Sequence, residues 1–179
     1  MLTVIAPILF TLTACTGPAD EVIRFGLASE PVNLDPRFAT DATSARINRL
    51  LYRRLVDFDE HMRPVASLAT WERLSGEHYR FHLARERSPF HDGRPLTSRD
   101  VAATYAYILD PAHASPHRGP LGLIQRIETP NDDTVDFFLQ HADPLFPGYL
   151  VIGIVSADDI AAGHPLESNP VGSGPFRIT

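Results

Sequence analysis

Basic clusters, paired thiols and membrane-length apolar runs are all missing from this 179-residue sequence. No cationic run is longer than Arg53-Arg54, and the formal charge is -6. A nucleic-acid footprint needs a concentrated basic face, so nucleic acid is excluded as a partner. Cys15 is the single cysteine, so no disulfide can close within the chain. The uncharged apolar stretch at residues 2–14 falls short of the roughly 20 residues that a membrane-spanning helix requires.

Catalytic and metal-binding patterns are equally scarce. Of eight histidines, His78 and His82 stand four apart in a stretch that reads as a strand. Without converging carboxylate or thiolate partners they are expected to be solvated strand residues, and no metal site is predicted. Ser29, Ser88 and Ser173 lack a nucleophile-elbow context. Gly172-Ser173-Gly174 is followed by neither lysine nor a helix start and is no phosphate loop. His91-Asp92 are neighbours in a turn, where Asp92 caps the backbone and Gly93 takes positive φ. The paired acids Asp132-Asp133 and Asp158-Asp159 read as solvated turn and helix-start residues. The expectation is a non-enzyme without cofactors.

What is present is a globular composition, 44% hydrophobic and 21% charged, with 16 prolines against 11 glycines. That balance favours short elements and many turns over a helical bundle. At the start, "LTVIAPILFTLTA" has the length of a signal-peptide apolar region, and Ala14 is a small residue at the expected cleavage point. Leu12-Thr13-Ala14-Cys15 resembles a bacterial lipobox, which makes Cys15 the expected lipidation site and membrane anchor; the alternative is a core strand with a buried Cys15. No basic residue precedes the run, as expected if the true start lies upstream. Residues 1–15 are thus predicted to be a lipoprotein signal peptide and 16–21 a tether.

Beyond the tether, Ile23, Phe25 and Leu27 alternate with Arg24 and Gly26, predicting a half-buried strand. The prolines of "SEPVNLDP" break it. From Thr43 the apolar period becomes helical, with Ile47, Leu50, Leu51 and Leu55 on one stripe and Thr43 or Ser44 as cap. Strand signals follow in "LVDFD", "LATWERL" and "HYRFHL", read as one small antiparallel sheet in which Tyr79, Phe81 and Leu83 share a face that Trp71 covers. Thr97 and Asp100 resemble a capping box opening a helix whose buried stripe is Val101, Tyr105, Ile108 and Leu109, ended by Asp110-Pro111. Two further strands, 124–128 and 134–139, flank the turn "TPNDD". "DPLFPGYLVIGIV" reads as interior, and Ser156 opens a last short helix.

Taken in order, "SEPVNLDP", "LYRRLVDFD", "PVASLATWE", "YRFHLARERSPFHDGRPLTSRDV", "DDTVDFFL" and "NPVGSGPFRI" resemble the N-terminal portion of family 5 extracellular solute-binding proteins. That family contains the oligopeptide- and dipeptide-binding components of ABC importers. The resemblance implies a mixed α/β (α+β) chain, the N-terminal part of a bilobed type II periplasmic-binding fold with the second lobe missing. It assigns 22–42 to the first strand and loop of lobe I, 43–168 to an appended subdomain, and 169–179 to a truncated return into lobe I. It implies reversible binding of a peptide or other small solute, an inner-membrane ABC permease as partner, and location in the periplasm or cell envelope. Ser29, Glu30, Pro31 and Val32 are the ligand-contact positions it suggests, with Glu30 meeting a ligand amine; otherwise Glu30 is a solvated carboxylate and Val32 a core plug. Other family ligands, including nickel chelates, haem, sugars and signalling peptides, stay open, as does a degenerate envelope lipoprotein that binds a partner.

Overall fold

The computed structural model describes residues 22–24 and 26–179. The signal-peptide, lipidation and tether expectations, together with Phe25, lie outside those residues. The first regular element is helix α1, Ala42–Leu51. Its cap is Asp41, whose side chain accepts from the Ser44 backbone N–H at 2.9 Å, not Thr43 or Ser44. Aspartate at that position satisfies one orphan amide and complements the helix dipole together, while Thr43 and Ser44 are left free to hold the preceding loop.

Strands β1 (Val56–Phe58) and β2 (Pro64–Ala66) form a separate antiparallel hairpin. The expected single sheet across 56–84 is therefore divided in two. Strands β3 (Ala69–Arg73) and β4 (His78–Leu83) instead join β5 (Ile124–Asn131) and β6 (Thr134–Leu139). All pairs are antiparallel and the order is β3-β4-β6-β5. β5 runs further than the sequence pattern indicates, through Pro130, which an edge strand tolerates because one of its sides needs no donor. The connecting turn shrinks to Asp132-Asp133.

The two inner strands supply one apolar face. Tyr79, Phe81 and Leu83 from β4 and Val135, Phe137 and Leu139 from β6 are each no more than 4% exposed, the period-2 outcome of the alternation. Helix α2 (Ser98–Leu109) lays Val101, Tyr105 and Ile108 into the same core. Phe137 sits at its centre, with ring centroids 5.4 Å from Phe81 and 5.6 Å from Tyr105, both edge-on. Burying each such side chain contributes about 1.5–3 kcal/mol. Trp71 stacks on its cross-strand neighbour Phe81 at 6.0 Å, covering the face as expected. After the short helix α3 (Arg118–Leu121), which the loop pattern concealed, Phe146, Leu150 and Ile154 complete the core.

The capping box at α2 is present. Asp100 Oδ2 accepts from the Thr97 backbone N–H at 2.7 Å and from its hydroxyl at 3.0 Å. Asp100 Oδ1 also accepts from the Ala157 N–H at 2.8 Å, at the start of helix α4 (Ala157–Ala162), which Ser156 caps. One buried carboxylate thus fixes two helix starts against each other.

Two expectations about exposure fail. Ile23 and Leu27 are 69% and 45% exposed and lie in neither sheet, because a half-buried strand needs a neighbouring strand on its edge. On the outer sheet face His78 is not solvated: its ring stacks on Phe138 at 4.1 Å with Nε2 3.4 Å from Asp136. His82 is exposed and meets Glu72 at 3.3 Å.

Candidate functional site

Helix α1 organises both stretches that sequence reasoning singled out. Its first turn holds the loop 28–34. Thr43 Oγ1 lies 2.8 Å from Ser29 Oγ, and Ser44 Oγ accepts from the Asn33 N–H at 3.0 Å. Ser29, Glu30 and Val32 are exposed and Pro31 half-buried, so the four expected ligand positions share one solvent-open ledge. Val32 is 82% exposed and plugs no core; the Asn33 and Ser29 bonds to α1 turn the loop outward at that point.

Just past the ledge the chain is anchored by a buried ion pair that the sequence pattern did not reveal. Arg37 clasps Asp35 through Nε at 2.9 Å and Nη2 at 2.6 Å, and both side chains are 5% exposed. The guanidinium lies 3.9 Å from the Tyr107 ring centroid, and that ring stacks on His113 at 3.5 Å. Ser115 Oγ donates to the Arg37 carbonyl at 2.7 Å, and His117 Nε2 is 3.0 Å from the Ala39 carbonyl. Burial lowers the His117 pKa. A cleft of about 450 Å³ opens beside this anchor, with Asn33, Phe38, Tyr107, His164 and Glu167 on its walls. None of Ser29, Glu30, Pro31 and Val32 lines it.

The other end of α1 receives the segment 172–176. Gly174 N–H donates to the Leu51 carbonyl at 2.7 Å and Phe176 N–H to the Leu50 carbonyl at 3.2 Å. Ser173, fully buried, accepts the Arg53 N–H at 3.4 Å. The "FHDG" and "GSG" motifs meet directly: His91 N–H donates to the Gly172 carbonyl at 2.8 Å, and its ring bonds both Gly172 and Gly174. Gly93 takes φ 90° and Asp92 Oδ1 accepts from the Arg94 N–H at 3.1 Å, the turn geometry expected.

Arg94 then ties that turn to α4. Its Nη2 reaches both Asp159 oxygens at 2.7 and 2.8 Å, its Nη1 the Ser156 hydroxyl at 3.0 Å, and its Nε Asp92 Oδ2 at 2.7 Å. Hydrogen bonds from Arg94 hold the Asp92 carboxyl below its ordinary range. Asp159 is only 8% exposed, so this member of the Asp158-Asp159 pair is a buried partner of Arg94, not a solvated helix-start residue. Nothing in the local sequence marks the link, since its partners are 65 residues apart.

Most of these polar groups tie one stretch of chain to another. Among the described residues no group of three or more His, Cys, Asp or Glu is placed to hold a metal ion. What the arrangement provides is a rigid brace: a small α/β body that presents an open loop at one end of α1 and grips an extended segment at the other. A mixed α/β body braced around one helix is the class of fold this defines.

The family follows. The family model "Bacterial extracellular solute-binding proteins, family 5 Middle" matches residues 62–179, and the chain belongs to that family of binding proteins. It is 30% identical over 183 residues to Protein XP55 of Streptomyces lividans, covering 93% of this chain and 33% of the relative. It is 27% identical over 165 residues to the oligopeptide-binding protein AppA of Bacillus subtilis, covering 86% and 30%. The solved structure of AppA in complex with a nonapeptide superposes with a TM-score of 0.75 at 29% identity, over 84% of this chain and 32% of that one. That of AgaA from A. tumefacien R10 in complex with agropinic acid gives 0.76 at 32%, over 84% and 31%. The chain spans about a third of the length of these relatives, and its mixed α/β fold is theirs over the shared part.

Proposed function

We propose that the chain forms the opening part of the solute-binding component of a peptide-type ABC importer, without enzymatic activity. In this reading residues 22–42 begin lobe I, 43–168 form its appended subdomain and 169–179 lead back into lobe I. A ligand would be enclosed between this lobe and a second one. The supporting observation is the conjunction of the family match with α1, which carries the loop 29–32 on its first turn and the segment 172–176 on its last.

Ser29, Glu30, Pro31 and Val32 are proposed to line the ligand side of lobe I. Extended peptides bind such clefts through backbone hydrogen bonds, leaving side-chain choice to surrounding pockets, and Glu30 supplies a carboxylate for a free amino terminus. Peptide is favoured over other solutes by the nonapeptide complex of AppA, while the agropinic acid complex of AgaA keeps a non-peptide solute as the second reading. Lipidation at Cys15 is proposed to hold the protein at the membrane outside the cytoplasm.

The genomic locus tests the importer role. A reading frame continuing through the remaining two-thirds of the relatives, next to permease and ATPase genes, is expected; neighbours unrelated to transport would contradict it. Membrane fractionation tests the anchor separately. Cys15→Ser is expected to shift the protein from membrane to soluble fractions, and an unchanged distribution would remove the lipid from the proposal.

A further inference from the structure

His91 is wedged between the α1 end of the molecule and the segment 172–176, with both ring nitrogens facing backbone groups. Gly172 N–H points at Nδ1 at 3.3 Å, and the Gly174 carbonyl oxygen lies 3.1 Å from Nε2. A backbone N–H can only donate and a carbonyl can only accept. The ring must therefore accept at Nδ1 and donate from Nε2, and of its three forms the neutral Nε2–H tautomer alone does both. An imidazolium would place a proton on Nδ1, facing the Gly172 N–H, with two donors opposed and no acceptor between them.

We propose that His91 is a pH-sensitive clamp on segment 172–176, closed while the imidazole is neutral and released on one side when it is protonated. The remaining bonds on this segment come from the His91 backbone N–H to the Gly172 carbonyl, from the carbonyls of Leu50 and Leu51, and from the Arg53 N–H to Ser173 Oγ, and none of these groups titrates. Charged and titratable groups on the elements packed around His91 are few. Its own turn carries Asp92 and Arg94, which bond each other. Arg94 is further held by Asp159, which sits beside Asp158 on α4. The end of α1 brings the buried Tyr52 and the exposed Arg53, and the segment itself brings only the exposed Arg177. The ring's two hydrogen bonds both go to backbone, so protonation there gains no carboxylate partner to offset the lost bond. If the segment is the crossing into lobe I, an interpretation that rests on the proposed function, acidification loosens the connection between subdomain and lobe.

The test is amide hydrogen exchange by NMR on the full chain, read as protection factors across a pH series in which protonation of the His91 ring is followed by its own ring resonances. Gly172 is the reporter, and the amides of the central strand β4 serve as the reference for global unfolding. Wild-type Gly172 is expected to lose protection by roughly tenfold as the His91 ring titrates, the scale of one unsatisfied hydrogen bond, while β4 stays protected. His91→Gln can accept through Oε1 and donate through Nε2 without titrating, and is expected to keep Gly172 protected at both ends of the range. His91→Leu is expected to leave it unprotected at both. Wild-type protection that stays level across the range, a loss that does not track the ring titration, or a His91→Gln variant that loses protection in step with wild type would overturn the proposal. The ligand plays no part in these measurements, so failure of the clamp and failure of the importer reading are separable.

Discussion

A methyl carbon added to Gly172 would sit 1.9 Å from the Leu51 carbonyl oxygen, and one added to Gly174 would sit 2.3 Å from that of Leu50. Neither neighbour is a flexible side-chain end; both are helix backbone. Gly172→Ala is therefore expected to destabilise the fold by about 1–3 kcal/mol, the range for forced overpacking, measured as a lowered urea midpoint. Asp136 makes a pH-dependent prediction. It is buried at 2% exposure, and hydrogen bonds from Arg80 at 2.7 and 2.8 Å hold its carboxyl below the ordinary range. A carboxylate depressed in the folded state stabilises above its unfolded pKa of about 4, and that contribution is lost as pH falls through the folded value. Stability of the wild type should thus fall in acid, and Asp136→Asn should flatten that fall. Urea midpoints near pH 6 and near pH 3 check this. At the loop, Glu30→Gln should weaken binding of free-amine peptides to the complete protein by about tenfold, the scale of one charge-assisted bond, and leave N-acetylated peptides unaffected; equal loss for both would take Glu30 out of the site.

Elements whose signals are local are legible in the residue pattern itself. The Thr97 and Asp100 spacing marks the start of α2, and alternation puts Tyr79, Phe81 and Leu83 on one face, because capping and pleating depend on neighbours within a few residues. Pairing across distance is not legible in the same way. β2 begins with a proline and is wholly exposed, so it shows no buried alternation, and nothing in the pattern marks the division into two sheets. Arg94, Asp159 and the Asp35–Arg37 pair look like ordinary surface charges until the fold brings them together. For the candidate site, the family resemblance suggests the 29–32 loop and the residue pattern marks the "FHDG" turn and the "GSG" stretch; neither shows that the two motifs bond each other through His91. Asp100 extends this to energetics, since it caps α2 and also accepts from Ala157 at α4. Asp100→Asn retains only one strong acceptor and is expected to lower stability by about 1–2 kcal/mol in urea denaturation, more than cap loss from an isolated helix.

The whole molecule is a braced body with apolar side chains exposed near both ends of the described chain: Ile23, Leu27 and Val32 on one side, Phe176 at 45% and Ile178 at 53% on the other. Residues 176–178 form no strand, and the chain covers about a third of its relatives. In the proposed importer component these side chains pack against the rest of lobe I, and the ledge at 29–32 becomes one wall of a cleft. The decisive measurement is isothermal calorimetry with a pool of short peptides, comparing the 179-residue chain with the product of the longer reading frame that the proposed function expects. The predicted result is micromolar or tighter binding by the longer product, about -8 kcal/mol or better, and no measurable heat from the shorter chain. Comparable binding by the 179-residue chain alone, or none by the longer product, would contradict it.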